Sequence, residues 1–348
     1  MVIEMVYTFE AENFNQIYRK VFDTVMSEGH EISPRGKRTK ELNPAIIKIN
    51  NPRQRYCSSR AGFNLPFSIA EVLWILKGVG DNEMISHYLK SFSQFLDPGY
   101  DEFHGAYGLR LRRWGYDTWG ERGNDKFVDQ LQMVYEKLYN DPSTRQAVMT
   151  LWNPRTDNDR ISRDIPCNNW AHLMIRDGKL NWTQVIRSND LIWGTPQNIF
   201  QFTHLQEIIA GWLNVDVGHY IQFSDSLHVY LDDFYDVEER KPDTTDMYEV
   251  YNIKNPLDMR MEKDKFDSMV FDMMIYESKW RNGNNLHKIE LDNMYWQNFM
   301  DVLYCYNMEK HTSSFEHIQD TIDNMSPEFK YPMQKWLNKR VKKYEVKN

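Results

Sequence analysis

The chain has 348 residues, and its 41% hydrophobic and 14% aromatic content excludes a wholly disordered protein, because enough apolar surface is present to offset chain entropy. A formal charge of −8, from 42 Lys and Arg against 50 Asp and Glu, argues against a protein built mainly to coat nucleic acid. No apolar run approaches the ~20 residues that span a bilayer, and three scattered cysteines fit neither a disulfide framework nor a zinc site, so we expect a protein of the reducing cytoplasm.

Apolar residues recur at helical spacing in the first part of the chain. They predict a helix over 14–26 and a second helix that starts at the capping-box pattern 68–71 and stops at Gly78. Between them, the polar and basic stretch 33–40 contains proline and glycine. This composition predicts an exposed loop of a kind that often holds phosphate.

The periodicity changes after a third predicted helix, at 127–138. The pair Asp177-Gly178 predicts a hairpin turn. Runs of β-branched, apolar and aromatic residues predict strands, and a helical run predicts a core helix over 198–212. The predicted strands cover 145–152, 169–175, 179–186 and 218–230. We therefore predict a mixed α+β fold with an antiparallel sheet.

Composition shifts after Tyr230. Residues 231–260 hold nine acidic against four basic residues, which predicts an exposed connection. Helical periodicity then predicts helices over 262–280, 289–308, 313–324 and 328–346, the last with a basic end. We accordingly divide the chain into a domain at 1–235 and a mostly helical C-terminal extension at 236–348.

The densest unusual segment is 164–170, with a second polar group at 186–190. Cys167 follows a proline where a predicted strand begins, and Arg187 and Asp190 end the next strand of the hairpin. An arginine near a thiol lowers the thiol pKa and favours the nucleophilic thiolate. A buried structural cysteine is the alternative, and the residues alone leave the choice open.

Eight ordered segments, spread over roughly residues 15–235, make the chain resemble the superfamily of thymidylate synthases and pyrimidine hydroxymethylases. The segments are Ala70–Trp74, Phe103–Gly108, Ser143–Arg145, Trp152–Pro154, Ile165–Cys167, Arg187–Asp190, Gly194–Asn198 and Ser226–Tyr230. The resemblance implies the thymidylate synthase-like α+β fold, in which a mixed or antiparallel sheet packs against helices.

In that family a cysteine thiolate adds to ring carbon 6 of a pyrimidine nucleotide, and carbon 5 then attacks the one-carbon unit of 5,10-methylenetetrahydrofolate without a metal. Cys167 matches this nucleophile. Glu71 matches the carboxylate that orders water and faces the folate, although the reciprocal partner of Ser68 in a capping box is an alternative role. Asp190 matches the residue that binds the pterin ring, and Tyr107 matches a residue that lines the site near the cysteine.

The resemblance also assigns ligands for the nucleotide phosphate. Arg187, Ser188 and Arg145 match phosphate ligands, and the family's counterpart of Arg145 reaches into the neighbouring subunit, which implies a homodimer with shared sites. The family often has a second arginine where this chain has Gln146. We expect Arg35 or Arg38 to supply the remaining contact, with solvated surface charge as the alternative for that loop.

Asn198 matches the residue that identifies the base. Its amide can donate to O4 and accept from N3 of uracil, which favours dUMP over dCMP. A purely structural role as a helix N-cap is the alternative. His228 and Tyr230 match ligands of the sugar 3′-hydroxyl; otherwise they are ordinary neighbours on one strand face.

Three departures bear on the reaction. Asn168 replaces the histidine that usually follows the nucleophile, 87–103 lacks the tryptophans found near the folate, and a helical extension replaces the short closing tail. The segments around Arg187 and His228 look more like the phage hydroxymethylase branch. We therefore predict a dUMP hydroxymethylase, with a thymidylate synthase, a dCMP hydroxymethylase and an inactive nucleotide-binding module as alternatives.

Overall fold

A computed structural model of the chain describes residues 6–60, 62–115, 127–159, 161–232, 237–312 and 314–345. Positions 233–236, 313 and 346, which belong to the predicted connection and to the ends of two predicted helices, lie outside the described residues. Within the described ranges, no helix has the length and apolar content needed to cross a membrane.

Strands and helices are mixed along the first 232 residues. The strands are β1 (Tyr7–Ala11), β2 (His30–Ile32), β3 (Thr39–Leu42), β4 (Ala45–Ile49), β5 (Val148–Thr150), β6 (Asn168–Arg176), β7 (Lys179–Ile186), β8 (Asn189–Asp190), β9 (Asp216–Ser224) and β10 (Leu227–Tyr230). The helices of this part are α1 (Asn15–Glu28), α2 (Leu65–Lys77), α3 (Asn82–Tyr88), α4 (Tyr107–Arg112), α5 (Gln130–Asn140), α6 (Pro154–Asp157) and α7 (Gly194–Leu213).

Two mixed sheets organise these strands. Six of the described strands form one sheet in the order β1-β4-β9-β7-β6-β5, and four form a second in the order β2-β3-β10-β8. The β6–β7 hairpin is antiparallel, and its turn residues Asp177 and Gly178 have φ of 52° and 70°, the left-handed conformation that such a turn requires. The α+β prediction is confirmed.

Helices α2 and α7 pack together in the core and position the polar side chains described below. Every residue of α7 from Asn198 to Ala210 is buried, and a helix buried on all sides lies inside its domain. Helix α2 begins at Leu65, where the Asn64 side chain accepts a hydrogen bond from Phe67 N. The predicted capping box at Ser68 is wrong, because Asn64 caps the helix one turn earlier.

Helices dominate the remainder of the chain. They are α8 (Val237–Arg240), α9 (Met247–Val250), α10 (Lys263–Arg281), α11 (Met294–His311), α12 (Phe315–Asp323) and α13 (Pro327–Glu345). Helix α11 packs against α2, and the four predicted helices of the extension are confirmed within a few residues.

Three of the predicted segments are wrong in part. The connection 231–260 is not exposed throughout, because Met247 and Met259 are buried in the core. The predicted strand 218–230 is two strands, and β10 leaves the large sheet to pair with β3. Likewise, the predicted loop 33–40 ends early, since Thr39 already belongs to β3.

Candidate active site

Cys167 lies half-buried immediately before β6. Its carbonyl accepts a hydrogen bond from Arg187 N at 3.0 Å, which joins the end of β7 to the start of β6. Burial raises the pKa of the Cys167 thiol, while the guanidinium groups of Arg187 and Arg35 act in the opposite direction. The neutral thiol is thus favoured in the free protein, and the two arginines oppose that preference.

The Arg187 side chain supports the segment that carries the cysteine. Its Nε donates to Pro166 O at 2.9 Å and a terminal nitrogen donates to Ile165 O at 3.0 Å. The guanidinium also lies 5.4 Å from the centre of the Trp152 ring. Ser188 follows in the half-buried turn between β7 and β8. Arg187 therefore places positive charge beside the thiol and holds the backbone before it.

A buried polar network runs from Tyr107 to Ser224 beside the cysteine. Asn168 Nδ2 donates to Tyr107 Oη at 2.8 Å and to Asn198 Oδ1 at 3.1 Å. Asn198 Nδ2 donates to Asn189 Oδ1 at 3.2 Å, and Asn189 Nδ2 donates to Ser224 Oγ at 3.0 Å. Since α7 begins at Gly194, the alternative of Asn198 as a helix N-cap is wrong.

Glu71 faces α7 from α2. Burial raises its pKa to about 8, and a hydrogen bond with Gln201, three residues after Asn198, opposes this shift. Glu71 Oε2 is buried without a hydrogen-bond partner among the described residues. Ser68 bonds instead to Asn64 O and to Gln197, so it is not the reciprocal partner of Glu71.

The structure separates the two arginines of the basic loop. Arg35 adopts a left-handed backbone with φ of 54°, and its side chain hydrogen-bonds Tyr230 and acts on Cys167 and His228 electrostatically. Arg38 instead pairs with Glu31 at 2.9 Å and with Asp232 at 3.4 Å. Arg35 is therefore the loop arginine on the cysteine side.

Asp190, His228 and Tyr230 meet where the short strands β8 and β10 pair. Asp190 and His228 are register partners, and the rings of His228 and Tyr230 lie 5.1 Å apart. Asp190 Oδ1 accepts hydrogen bonds from Ile192 N at 2.7 Å and Trp193 N at 3.2 Å at the approach to α7. Burial raises the pKa of Asp190, and His228 opposes this shift.

Arg145 lies away from these residues. It is exposed before β5, and its carbonyl accepts a hydrogen bond from His172 Nε2 at 3.1 Å. Within the ranges that the structure describes, no acidic side chain pairs with its guanidinium. Arg187 and Arg35, and not Arg145, are the arginines that act on the Cys167 thiol within the described part of this chain.

The sequence analysis assigned no role to Asp164, Trp193 and Arg60, which also face the site. Asp164 Oδ2 accepts a hydrogen bond from Gly105 N at 2.7 Å, and burial raises its pKa to about 6. The Arg60 guanidinium lies 4.5 Å from the centre of the Trp193 ring. Proximity in sequence could have indicated two of these residues, since Asp164 lies three residues before Cys167 and Trp193 lies three residues after Asp190.

Comparisons with known proteins identify the family of the chain. A family model described as thymidylate synthase matches residues 16–282. The chain is 39% identical over 271 residues to a deoxyuridylate hydroxymethyltransferase of Bacillus phage SP01, which covers 76% of this chain and 68% of the relative. It is 35% identical over 166 residues to a protein of the same name from Pseudomonas phage M6, covering 47% of this chain and 44% of the relative.

A third relative comes from an archaeon. It is a putative thymidylate synthase of Methanothermobacter marburgensis, 28% identical over 237 residues, with 68% of this chain and 98% of the relative covered. The chain thus matches nearly the whole archaeal protein, but only 68% and 44% of the length of the two phage proteins.

Proposed function

The chain belongs to the thymidylate synthase family, and from this premise we propose that it transfers a hydroxymethyl group to carbon 5 of dUMP. It is a one-carbon transferase that acts on pyrimidine nucleotides. One observation carries the proposal: the Cys167 thiol, the Asn198 amide and the Arg35 guanidinium converge on one site. These groups can respectively attack a ring, identify uracil and hold a phosphate.

In the proposed mechanism the Cys167 thiolate forms a bond to carbon 6, and the ring electron pair moves toward carbon 5 and O4. Asn198 donates to O4, where negative charge develops, and accepts from N3–H. Carbon 5 would then form a bond to the one-carbon unit that the folate carries, and loss of the carbon 5 proton with departure of tetrahydrofolate would leave an exocyclic methylene on the ring. Water adds to this methylene and loses a proton, which Glu71 is placed to relay through its unpaired Oε2. Loss of the thiolate from carbon 6 releases the product.

The phosphate ligands are proposed from the positions of the cations. Arg35 and Arg187 lie on the cysteine side, with Ser188 next in sequence. Arginine suits this role because its planar fork matches phosphate oxygens. His228 and Tyr230 would bind the sugar hydroxyl from the neighbouring strand.

A homodimer is proposed to supply the remaining cation. The outer face of the large sheet carries half-buried apolar residues, with Phe223 in register between Ile46 and Val185. Such a face is normally covered, and Arg145 is exposed near the β5 edge of the same sheet. We infer that a second copy covers this face and receives Arg145 in its own phosphate site.

The folate co-substrate, 5,10-methylenetetrahydrofolate, supplies the one-carbon unit when it is bound. Asp190 and Glu71 are the proposed pterin-side residues. Arg60 is 3% exposed, and its Nε has no hydrogen-bond partner in the described part of the chain. An unsatisfied buried donor of this kind fits a ligand that carries carboxylates.

The proposed domain division keeps the catalytic residues in 1–235 and the helical extension in 236–348. Every site residue named above lies before residue 236, whereas the family match continues into α10. The two hydroxymethyltransferase relatives come from phages, which suits an enzyme that makes a modified nucleotide for phage DNA.

The direct experiment is mass spectrometry of the nucleotide formed from dUMP and methylenetetrahydrofolate, with dCMP in a parallel reaction. A gain of CH2O supports the proposal. A gain of CH2 with dihydrofolate identifies a thymidylate synthase, which the archaeal relative makes the second candidate. Product only from dCMP contradicts the role of Asn198, and no product in either reaction favours a nucleotide-binding module.

A Cys167→Ala variant tests the covalent step in the same assay. We expect a loss of about 10⁴-fold or more in turnover, because the adduct cannot form. Cys305→Ala is the matched control, since Cys305 is a buried cysteine of α11. Equal activity of the two variants would rule out the covalent mechanism.

A further inference from the structure

We propose that Asn168 holds the Asn198 amide in the orientation that reads uracil, and so sets the preference for dUMP over dCMP. This inference rests on the proposed function, because it takes Asn198 as the residue that reads the base. Asn168 is assigned here as a positioning residue that acts through Asn198.

A β-bulge directs Asn168 into the interior. In a regular strand, residues 168 and 170 would face the same side of the sheet. Here the register of β6 against β7 shifts between Asn168 and Trp170, so the two side chains face opposite sides. Asn168 is fully buried, whereas Trp170 is 39% exposed on the other face. The residue directly after Cys167 is therefore packed against the core side of the site.

The hydrogen bonds of Asn198 specify which end of its amide is oxygen. Asn168 Nδ2 donates to Asn198 Oδ1 at 3.1 Å, while Asn198 Nδ2 donates to Asn189 Oδ1 at 3.2 Å. Turning the Asn198 amide by half a turn would set two NH₂ groups against each other on one side and two carbonyl oxygens on the other. Because all three side chains are buried, the reversed arrangement would leave buried polar groups unpaired.

The orientation matters because uracil and cytosine present opposite patterns. Uracil offers an acceptor at O4 and a donor at N3, whereas cytosine offers a donor at N4 and an acceptor at N3. An amide could read either base by reversing its ends. After its two internal bonds, Asn198 keeps one N–H and one oxygen lone pair for the base, in the arrangement that suits uracil.

Asn168 exerts this control through its donors. Its Nδ2 bonds Tyr107 and Asn198, while Oδ1 has no partner among the described residues. A side chain at 168 that keeps an N–H should keep the orientation of Asn198. A side chain that only accepts should reverse it, and an apolar one should release it.

The experiment compares kcat/KM for dUMP and dCMP, together with equilibrium binding of each nucleotide, in three variants at position 168. We expect Asn168→Leu to lower the ratio of kcat/KM for dUMP to kcat/KM for dCMP about tenfold. Asn168→Asp should lower this ratio about 100-fold at a pH where the carboxylate is ionised, since mismatched buried hydrogen bonds discriminate strongly between ligands. Asn168→His, which retains a donor, should keep the ratio within about threefold of the unmodified enzyme.

Asn307→Leu is the matched control. Asn307 is also a fully buried asparagine that donates to a tyrosine hydroxyl, that of Tyr88 at 3.1 Å, but it lies in α11. A merely structural effect of Asn168 would lower activity on both nucleotides by one factor, as in the Asn307 variant, and leave the ratio unchanged. That result would overturn the inference.

Different results would contradict the proposed function and the role of Asn168. If the unmodified enzyme does not convert dUMP, the proposed function fails and the inference fails with it. If the enzyme converts dUMP but the Leu and Asp variants keep its base preference, only the role of Asn168 is refuted. Should the Leu variant not fold, the opposite expectations for Asp and His still decide the question.

Discussion

Two buried polar clusters of the molecule differ in how completely their hydrogen bonds are satisfied. One surrounds Cys167, and the other joins α7 to the C-terminal helices through Arg55 and Glu207. Both contain charged groups removed from water, which is costly unless they are paired. The second cluster is closed, while the first leaves polar atoms free.

The closed cluster shows what a structural role requires. Arg55 bonds the Glu207 carboxylate, Thr203 Oγ1 at 3.2 Å and Tyr295 Oη at 3.0 Å. Tyr295 in turn lies 2.7 Å from His204 Nε2, and His204 Nδ1 lies 2.6 Å from Phe200 O. The carbonyl fixes Nδ1 as the protonated nitrogen, so Tyr295 donates to Nε2 and accepts from Arg55. Burial lowers the pKa of His204, in agreement with a neutral ring.

The Cys167 site is arranged differently. Buried atoms without hydrogen-bond partners among the described residues include Glu71 Oε2, Asn168 Oδ1, Arg60 Nε and Gln201 Oε1. Each such atom costs about 1–3 kcal/mol in the free protein. A ligand or ordered water that pairs with them recovers part of this cost. The Cys167 site therefore keeps hydrogen-bonding capacity for a ligand, whereas the bonded groups of the Arg55–Glu207 cluster named above keep none among the described residues.

A substitution in the closed cluster should lower the stability of the protein and leave its activity unchanged. We expect Arg55→Met to lower the free energy of unfolding by about 3–5 kcal/mol, because it leaves the buried Glu207 carboxylate with Arg53 as its remaining cation. Chemical denaturation measures the change, and kcat/KM of the folded fraction should be retained. Lys48→Met is the control, since its ion pair with Glu10 is exposed to water and contributes little to stability. Similar losses in both variants would contradict the distinction.

Glu71 should link stability and activity through pH. Its folded pKa of about 8 exceeds the ordinary 4.5, so the folded state keeps a proton that the unfolded state loses, and stability falls as pH rises between these values. Glu71→Gln removes this decline. The variant should gain about 4 kcal/mol relative to the unmodified protein between pH 5 and pH 9.

The same substitution should lower kcat by about 10²-fold or more, because it removes the group that we propose as the proton relay. Glu328→Gln is the control from the extension, where burial raises the carboxyl pKa to about 7 and Leu257 N donates to it at 2.9 Å. It should change the pH dependence of stability without changing kcat. A Glu71 variant with normal kcat would remove Glu71 from the mechanism.

Local patterns predicted the elements whose causes are local. Helix α1 and the hairpin at Asp177-Gly178 follow from periodicity and turn chemistry within a few residues. The end of β9 and the burial of Met247 depend on partners far along the chain, so composition alone could not reveal them. The capping-box error has the same origin at short range, since Asn64 competes with Ser68 for the helix start.

Within the site, the motifs identified the superfamily, and the family match confirms it. The roles of individual site residues depend in addition on contacts between residues that are distant in sequence. Asn168 could be seen in the sequence only as a departure from the family pattern, because its proposed role depends on the bulge in β6 and on its hydrogen bond to Asn198 in α7. The two loop arginines were indistinguishable for the same reason, since acids distant in sequence, such as Asp232, determine which one is neutralised.

That last distinction gives the prediction with the smallest expected effect. Arg35→Gln should raise KM for dUMP about 10- to 30-fold, the value of one charge-assisted hydrogen bond to phosphate. Arg38→Gln removes the same charge from the same loop, but Arg38 is already paired with Glu31 and Asp232, so KM should change less than about twofold. Steady-state kinetics at fixed ionic strength separates the two. A larger increase in KM for Arg38→Gln than for Arg35→Gln would show that the Arg38 ion pairs open to bind phosphate. An ion-paired surface arginine could then not be assigned a place outside the site on its pairing alone.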